Sequence, residues 1–291
     1  MKIEAINISK KYGKTRALDN ISFESKQEIL GILGPNGAGK TTLFNILTGM
    51  IKPDSGKVLL NDITIDKVDP YMKNKIGYFP QNFEFYPELT GKEILEFMCS
   101  LKGFEKENWN SEINHIVELM KMSDLVDLRF GRMSQGMKQK TGIAATLLGN
   151  PELIIVDEPT SGLDPAERVR FRNMISTLSS NNTVMFSTHI ISDIESICEN
   201  LLVVNKGKLL FKGKTDELIS DYAHLIYESD ITANICQTVN KKYTVLRNTC
   251  KGNDIFHSVI LSNSSVNQYG FCKKINVSLE EAYLSLIIKN E

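Results

Sequence analysis

The sequence predicts an α/β core carrying a helical insert, with a small α+β accessory region at the C-terminal end. Three observations predict it. Short aliphatic runs of strand length alternate with helix-spaced segments from Met1 to about Gly213. A glycine-rich loop, Gly34 to Gly39, separates one such run from a helix. After about Lys214 the periodicity weakens into short apolar runs and one capped helix.

The elements follow in order. Ile3 to Ile8 alternates apolar and polar residues, as an edge strand does. Ile21 to Glu24 predicts a second strand. Glu28 to Leu33 predicts a third, more apolar and so more central. Lys40 to Gly49 has helical spacing, with Leu43, Ile46 and Leu47 on one face and Gly49 as a natural stop. From about Gln81 to Asn150 the pattern is helical. Thr90 and Glu93 have the spacing of a capping box, with Ile94, Phe97, Met98 and Leu101 predicted on one face behind it. Ile113, Ile116, Val117 and Met120 repeat that spacing.

Strands then resume. Leu153 to Val156 is aliphatic and ends at Asp157-Glu158, and Pro165 suits the first turn of a helix. Thr183 to Ser187 is another strand, ending near His189. Leu201 to Val204 and Leu209 to Phe211 read as a hairpin turned at Lys206-Gly207-Lys208. Beyond them lie apolar runs at Tyr243 to Leu246 and Ile255 to Leu261. A final helix starts at Ser278, where Glu281 completes a second capping box and Leu279, Ala282, Tyr283 and Leu286 form its face. The domains predicted are 1–215, with a helical subdomain over about 82–150, and 216–291.

Composition removes several classes of function. At 291 residues the chain has room for one large domain, or one domain and an appendage. Its formal net charge of -1 recruits neither nucleic acid nor an acidic membrane, so no nucleic-acid partner is expected. No apolar run approaches the roughly 20 residues that span a bilayer. Met1 to Ile6 lacks the features of a signal peptide. The five cysteines, Cys236 among them, are scattered without pair spacing, which predicts reduced thiols in the cytoplasm. The histidines are equally dispersed, so no transition-metal site is expected.

Gly34-Pro35-Asn36-Gly37-Ala38-Gly39-Lys40-Thr41-Thr42 fits GxxxxGK(S/T), the phosphate-loop pattern. A triphosphate crowds negative charge together, and backbone N–H groups surround it only where side chains are missing. Gly34, Gly37 and Gly39 allow that approach and positive φ angles. The following helix aims its positive end at the phosphates. Lys40 is expected to reach the β- and γ-phosphates and Thr41 to ligate Mg²⁺. The core is therefore a P-loop NTPase, with ATP and Mg²⁺ as its expected ligands.

The second motif is the acid pair. A buried strand delivers both carboxylates to the carboxyl edge of the sheet, where α/β ligands bind. Asp157 is expected to hold the Mg²⁺ shell and Glu158 to act as general base towards the attacking water.

With these motifs in place, the chain resembles the ABC ATPase family over about Met1 to Gly213. Tyr12 resembles the aromatic residue that stacks on adenine. Gln81, in Tyr78-Phe79-Pro80-Gln81, resembles the Q-loop glutamine, which senses Mg²⁺. Ser161-Gly162-Leu163-Asp164-Pro165 resembles the D-loop, and His189 the switch histidine that contacts the γ-phosphate. Met133-Ser134-Gln135-Gly136-Met137 stands at the signature usually written LSGGQ. Ser134 and Gly136 match it, whereas Gln135 replaces a glycine and Met137 the glutamine. The two retained residues supply a capping hydroxyl and a backbone N–H at a helix start.

The resemblance implies that two ATPase domains close face to face around two ATP molecules. The chain holds one such domain, so a second copy or a paralogue is expected, together with a separate transmembrane permease. It would sit peripherally on the inner face of the cell membrane. Ser134-Gln135-Gly136-Met137-Lys138-Gln139 resembles bacterial ATPases of ABC-2-type and bacitracin-resistance-like exporters, which implies export. Gln81 departs from the glutamate frequent in lantibiotic-immunity members. The permease would dock on the segment from Gln81 to about Phe130, with Phe83, Phe85 and Tyr86 as exposed apolar candidates. Two alternatives remain. A soluble ABC ATPase of ribosomes or nucleic acid usually carries two ATPase halves, a long coiled-coil insert or a basic excess. A small-molecule P-loop kinase leaves Gln81, Ser134, Asp164 and His189 without a role.

Overall fold

This computed structural model describes residues 1–26, 28–67, 74–179, 182–232, 244–251, 255–261, 272–274 and 276–290. It divides into two compact units, Met1–Lys212 and Gly213–Glu291.

The first unit contains two sheets. Strands β1 (Lys2–Tyr12), β2 (Thr15–Lys26), β4 (Ser55–Leu60) and β5 (Ile63–Thr64) form a four-stranded sheet in the order β2-β1-β4-β5. The strand expected at an edge is therefore interior: β1 is flanked by β2 and β4, antiparallel to both. Its partner β4 reads Ser55-Gly56-Lys57-Val58-Leu59-Leu60, which shows no clean alternation and places Gly56 at φ 86. A strand with so little period-2 signal leaves its neighbour looking unpaired.

The second sheet has six strands: β3 (Ile29–Leu33), β6 (Ile76–Phe79), β7 (Leu153–Asp157), β8 (Thr183–Thr188), β9 (Asn200–Asn205) and β10 (Lys208–Lys214). Their order is β10-β9-β3-β8-β7-β6, with β3, β6, β7, β8 and β9 parallel. β3 is central, as its composition predicts. β7 and β8 are buried along their whole lengths, which is why β7 reads as an aliphatic run up to Asp157 and β8 carries Val184, Met185 and Phe186 at its centre. Helix α1 (Lys40–Leu47) lies in one apolar cluster with residues of both sheets, and its Leu43, Phe44, Ile46 and Leu47 are fully buried. The N-terminus of α1 is thus fixed by the core rather than by its own short length.

Between β6 and β7 the chain forms α2 (Gly91–Leu101), α3 (Trp109–Leu119) and α4 (Gln135–Leu147). The Thr90–Glu93 capping box is present in full. The buried stripe of α2 is Ile94, Leu95 and Cys99, whereas Phe97 and Leu101 are 48% and 65% exposed. The expected face is therefore rotated, because packing selects the second apolar row of α2, Leu95 and Cys99, in place of Phe97 and Leu101. Ile113, Ile116 and Met120 are buried as expected. α5 (Pro165–Leu178) follows β7, capped by Asp164 with Pro165 in its first turn. α6 (Ile191–Ile197) follows β8.

The second unit contains α7 (Thr215–Ala223), then β11 (Ile226–Thr232), β12 (Thr244–Lys251), β13 (Ile255–Leu261) and β14 (Cys272–Lys274) in the order β12-β13-β11-β14, and α8 (Leu279–Lys289). The Ser278–Glu281 box is present, and Leu279, Ala282 and Leu286 are buried. Tyr243 and Cys236 lie outside the described residues.

Candidate functional site

The carboxyl edge of the six-stranded sheet gathers the motif residues. Gly34 follows the last residue of β3, and the loop runs through Pro35, Asn36, Gly37, Ala38 and Gly39 into α1. Gly39 has φ 108, and a Cβ there would meet the Ala17 carbonyl oxygen at 2.5 Å. Gly34 does not have a positive φ. A Cβ on it would strike the Val204 carbonyl oxygen of β9 at 2.2 Å, so this glycine is demanded by packing rather than by ligand approach. Gly37 has φ 79 and open space beside it, as a loop that admits a ligand requires.

Lys40 is buried at the start of α1. Its Nζ donates to the carbonyl oxygens of Gly34 at 2.6 Å and Pro35 at 3.1 Å, and lies 2.9 Å from Glu158 Oε1. Glu158 is 4% exposed, and its Oε2 lies 2.6 Å from His189 Nδ1. Three predicted residues from distant parts of the sequence thus meet on a single carboxylate. Glu158 adopts φ 50, a region that side chains other than those of Asn and Asp rarely occupy.

Asp157 is fully buried. Burial raises its pKa above the ordinary carboxylate value, and the Ser187 and Thr41 hydroxyls work against that rise. Its Oδ1 accepts from Ser187 Oγ, while its buried Oδ2 has no hydrogen-bond partner. A carboxylate oxygen orphaned in this way, beside a threonine hydroxyl, is a donor set suited to a hard divalent cation. Thr41 is exposed and Thr42 half-buried.

The other predicted residues surround this cluster without joining it. Tyr12 ends β1, 48% exposed, with the Lys10 ammonium 5.8 Å from its ring centroid. Its hairpin passes beside the loop, since Lys10 pairs with Leu18 and the neighbouring Ala17 carbonyl abuts Gly39. Gln81 is exposed, two residues beyond β6, whose last residue Phe79 pairs with Val156. Ser134 caps α4, its Oγ accepting from Met137 N at 3.3 Å. Gly136 faces α5, where a Cβ would meet Glu167 Oε2 at 2.7 Å. Ser134 and Gly136 line a cavity of about 620 Å³ together with Gln139, Lys140, Leu163 and Glu167.

Comparison with known proteins identifies what this cluster belongs to. The model of the ABC transporter family matches residues 18–161. An uncharacterized ABC transporter ATP-binding protein of Bacillus subtilis, YxlF, is 36% identical over 214 residues, which are 73% of this chain and 70% of that protein. This chain belongs to the ABC transporter ATP-binding family. The bacitracin transport ATP-binding protein BcrA of Bacillus licheniformis is 36% identical over 219 residues, covering 74% of this chain and 71% of BcrA. Among solved structures, the dimeric post-hydrolysis state of the cassette MJ0796 bound to ADP and Pi matches with a TM-score of 0.64 at 26% identity, covering 73% of this chain and 98% of that one. The chain is an ATP-binding subunit of exporter-like type and an ATPase.

In this ABC ATPase two further side chains brace the motif segments, and one of them serves the acid pair. Ser187 of β8 donates to Asp157, and its Oγ accepts from Glu158 N at 3.0 Å, so a single hydroxyl orients both acids. It does so because β7 and β8 run parallel with Asp157 opposite Ser187. A serine at a strand end carries no sequence signal for that pairing. Gln139 is buried with its Oε1 unpartnered and its Nε2 3.4 Å from the Ser161 carbonyl oxygen, linking the Ser134 helix to the segment before Asp164. Its helical position, four residues before Ile143 on the packed side of α4, was the available signal.

Proposed function

We propose that this chain powers export through a separate membrane permease, working as one of a pair of ATPase domains closed around two ATP molecules. The supporting observation is the apolar surface on the helical insert. Tyr86 is 75% exposed, Phe97 and Leu101, one turn apart on α2, are exposed as well, and the Phe97 ring lies 5.9 Å from that of Phe85, the residue before Tyr86. Phe83 and Phe85 do not share that exposure. Each is half-buried in a ring cluster with Phe79, Phe97 and Phe130, where their centroids lie 5.2–6.2 Å apart. They form the base on which Tyr86 and Phe97 are presented. Among the described residues no helix is long and apolar enough to cross a membrane. The likeness to a bacitracin transport protein supports the export direction.

Within the site, the loop N–H groups and Lys40 bind the phosphates, and Tyr12 stacks on the adenine. Mg²⁺ suits Asp157, Thr41 and Gln81, and would supply charge neutralisation at the phosphates. Glu158 takes a proton from the attacking water as the water oxygen bonds to the γ-phosphorus and the bond to the ADP oxygen breaks. His189 orients Glu158 and contacts the γ-phosphate. Phosphate binding replaces Glu158 as the counter-charge of Lys40, which frees that carboxylate for the water. Ser134 and Gly136 complete the site of the partner domain.

Affinity capture of the chain from gently solubilised membranes tests this reading. A polytopic membrane protein in stoichiometric amount is expected, and Tyr86→Glu with Phe97→Asp should release it. Capture of ribosomal proteins or nucleic acid in its place would move the function to a soluble ABC ATPase.

A further inference from the structure

Asp193 has no role in the chemistry described so far, yet it is fully buried. It stands in the first turn of α6, four residues after His189. Its Oδ2 accepts a hydrogen bond from Thr160 Oγ1 at 2.7 Å, and Thr160 is itself 1% exposed. Its Oδ1 lies 3.4 Å from Arg172 Nη1 on α5, the helix capped by Asp164. One carboxylate therefore joins three segments: the turn after Glu158, the helix after His189, and the helix after the Asp164 cap.

Stability alone is a poor account of it. A buried ion pair recovers little more than its own desolvation cost, and an apolar side chain of similar size often serves a core as well. The neighbouring backbone supplies the reason. Glu158 holds φ 50, a conformation that persists only where the surroundings over-determine it. Ser187 holds the start of that turn, and Ser161 N bonds the Glu158 carbonyl oxygen at 3.2 Å within it. The Thr160–Asp193 bond ties its far side to α6. The 2.6 Å contact between Glu158 Oε2 and His189 Nδ1 requires the turn and the helix to keep one relative position, and this bond spans the two.

We propose that Asp193 is a positioning residue for ATP hydrolysis: through Thr160 it locks the turn bearing Glu158 to the segment bearing His189. The proposal rests on the roles given above to those two residues. Misplacement of a reacting group by about 1 Å costs about 10²-fold in rate. Losing the lock therefore lowers turnover while leaving nucleotide binding, which the phosphate loop performs, in place.

The test measures kcat and nucleotide Kd for the full-length chain and for Thr160→Val, Thr160→Ser, Asp193→Ala and the Val/Ala double variant, with Glu158→Gln as control. Thr160→Val and Asp193→Ala should lower kcat at least about tenfold with Kd within about twofold. Thr160→Ser, which keeps the hydroxyl, should stay within about threefold of the wild type, and the double variant should be no worse than the poorer single one. Should Asp193→Ala fail to fold, the Thr160 pair decides alone. Wild-type kcat in Thr160→Val, or a fall in kcat together with a rise in Kd of similar size, would overturn the proposal while leaving the assignment of Glu158 intact. Wild-type hydrolysis in Glu158→Gln would instead remove that assignment, and the proposal with it.

Discussion

Two helix N-termini in the first unit have a phosphate-binding role in the proposed function, and they are built in opposite ways. The start of α1 has no side-chain cap, follows a glycine at φ 108, and is crowded by Lys40, Asp157, Glu158 and His189. The start of α4 is capped by its own Ser134, has no acidic residue in its first turn, and exposes Ser134 and Gln135. The first is a charged site assembled from remote segments, already holding internal counter-charges that a phosphate can displace. The second is a local turn capped by its own side chain, with the Glu167 carboxylate of α5 beside Gly136. The contrast teaches that hydrolysis and closure are separable. In the proposed function the first terminus supplies the reaction and the second supplies contacts to a partner domain, and the chain resembles a cassette solved as a dimer.

The largest effect expected on this contrast comes from Glu158→Gln. Removing a general base typically costs 10²- to 10⁴-fold, so phosphate release should fall by at least about 100-fold while ATP binding survives. Unchanged steady-state hydrolysis would deprive the α1 site of its proposed base. Next comes Lys40→Ala, which removes a charge-assisted contact worth about 1.5–3 kcal/mol, or about 10- to 100-fold in nucleotide Kd. Calorimetric titration giving wild-type affinity would contradict the role of Lys40. Ser134→Ala should leave nucleotide affinity of the isolated domain within about twofold and lower turnover about tenfold, in line with a lost cap of about 1 kcal/mol and a lost phosphate donor. An equal loss of affinity in dilute, monomeric protein would show that Ser134 serves its own chain and would erase the contrast.

The smallest effect concerns Asp157. Its folded pKa is raised above the unfolded value, so its favourable contribution to folding is complete below the unfolded pKa and is lost as pH rises through the folded one. Above its unfolded pKa the buried acid is therefore a cost, and Asp157→Asn should raise the melting temperature of the nucleotide-free protein by about a few degrees. Mg²⁺ should stabilise the wild type more than this variant, which would be read by thermal unfolding. A lower melting temperature in the variant, with no difference in the Mg²⁺ response, would count against the buried-carboxylate account.

The phosphate loop and acid pair were legible because each is written in contiguous residues whose spacing is dictated by the ligand. The capping boxes at Thr90 and Ser278 were legible for the same reason, since their partners lie three residues away. The antiparallel sheet was not. Its strands β4 and β5 lack alternation, and their place beside β1 depends on pairing between Ala5 and Val58, far apart in sequence. The stripe of α2 was misplaced because Leu95 and Cys99 form a second apolar row, four residues apart, beside the row of Ile94, Phe97, Met98 and Leu101. Only the packed neighbours choose between them.

The sequence by itself determined the chemistry on offer: a glycine loop for phosphates, a lysine, two acids at a strand end, a histidine after another, and a capped turn at Ser134. Tertiary structure decided which of these meet. Parallel register set Ser187 opposite Asp157 and brought His189 onto Glu158. It also brought Asp193 to Thr160, and moved the meaning of Gly34 from ligand approach to packing against Val204. The physical reason is that hydrogen bonds and close contacts act over about 3 Å of space. Sequence spacing controls such distances only within a turn or a helix, and the pairing of strands controls them everywhere else.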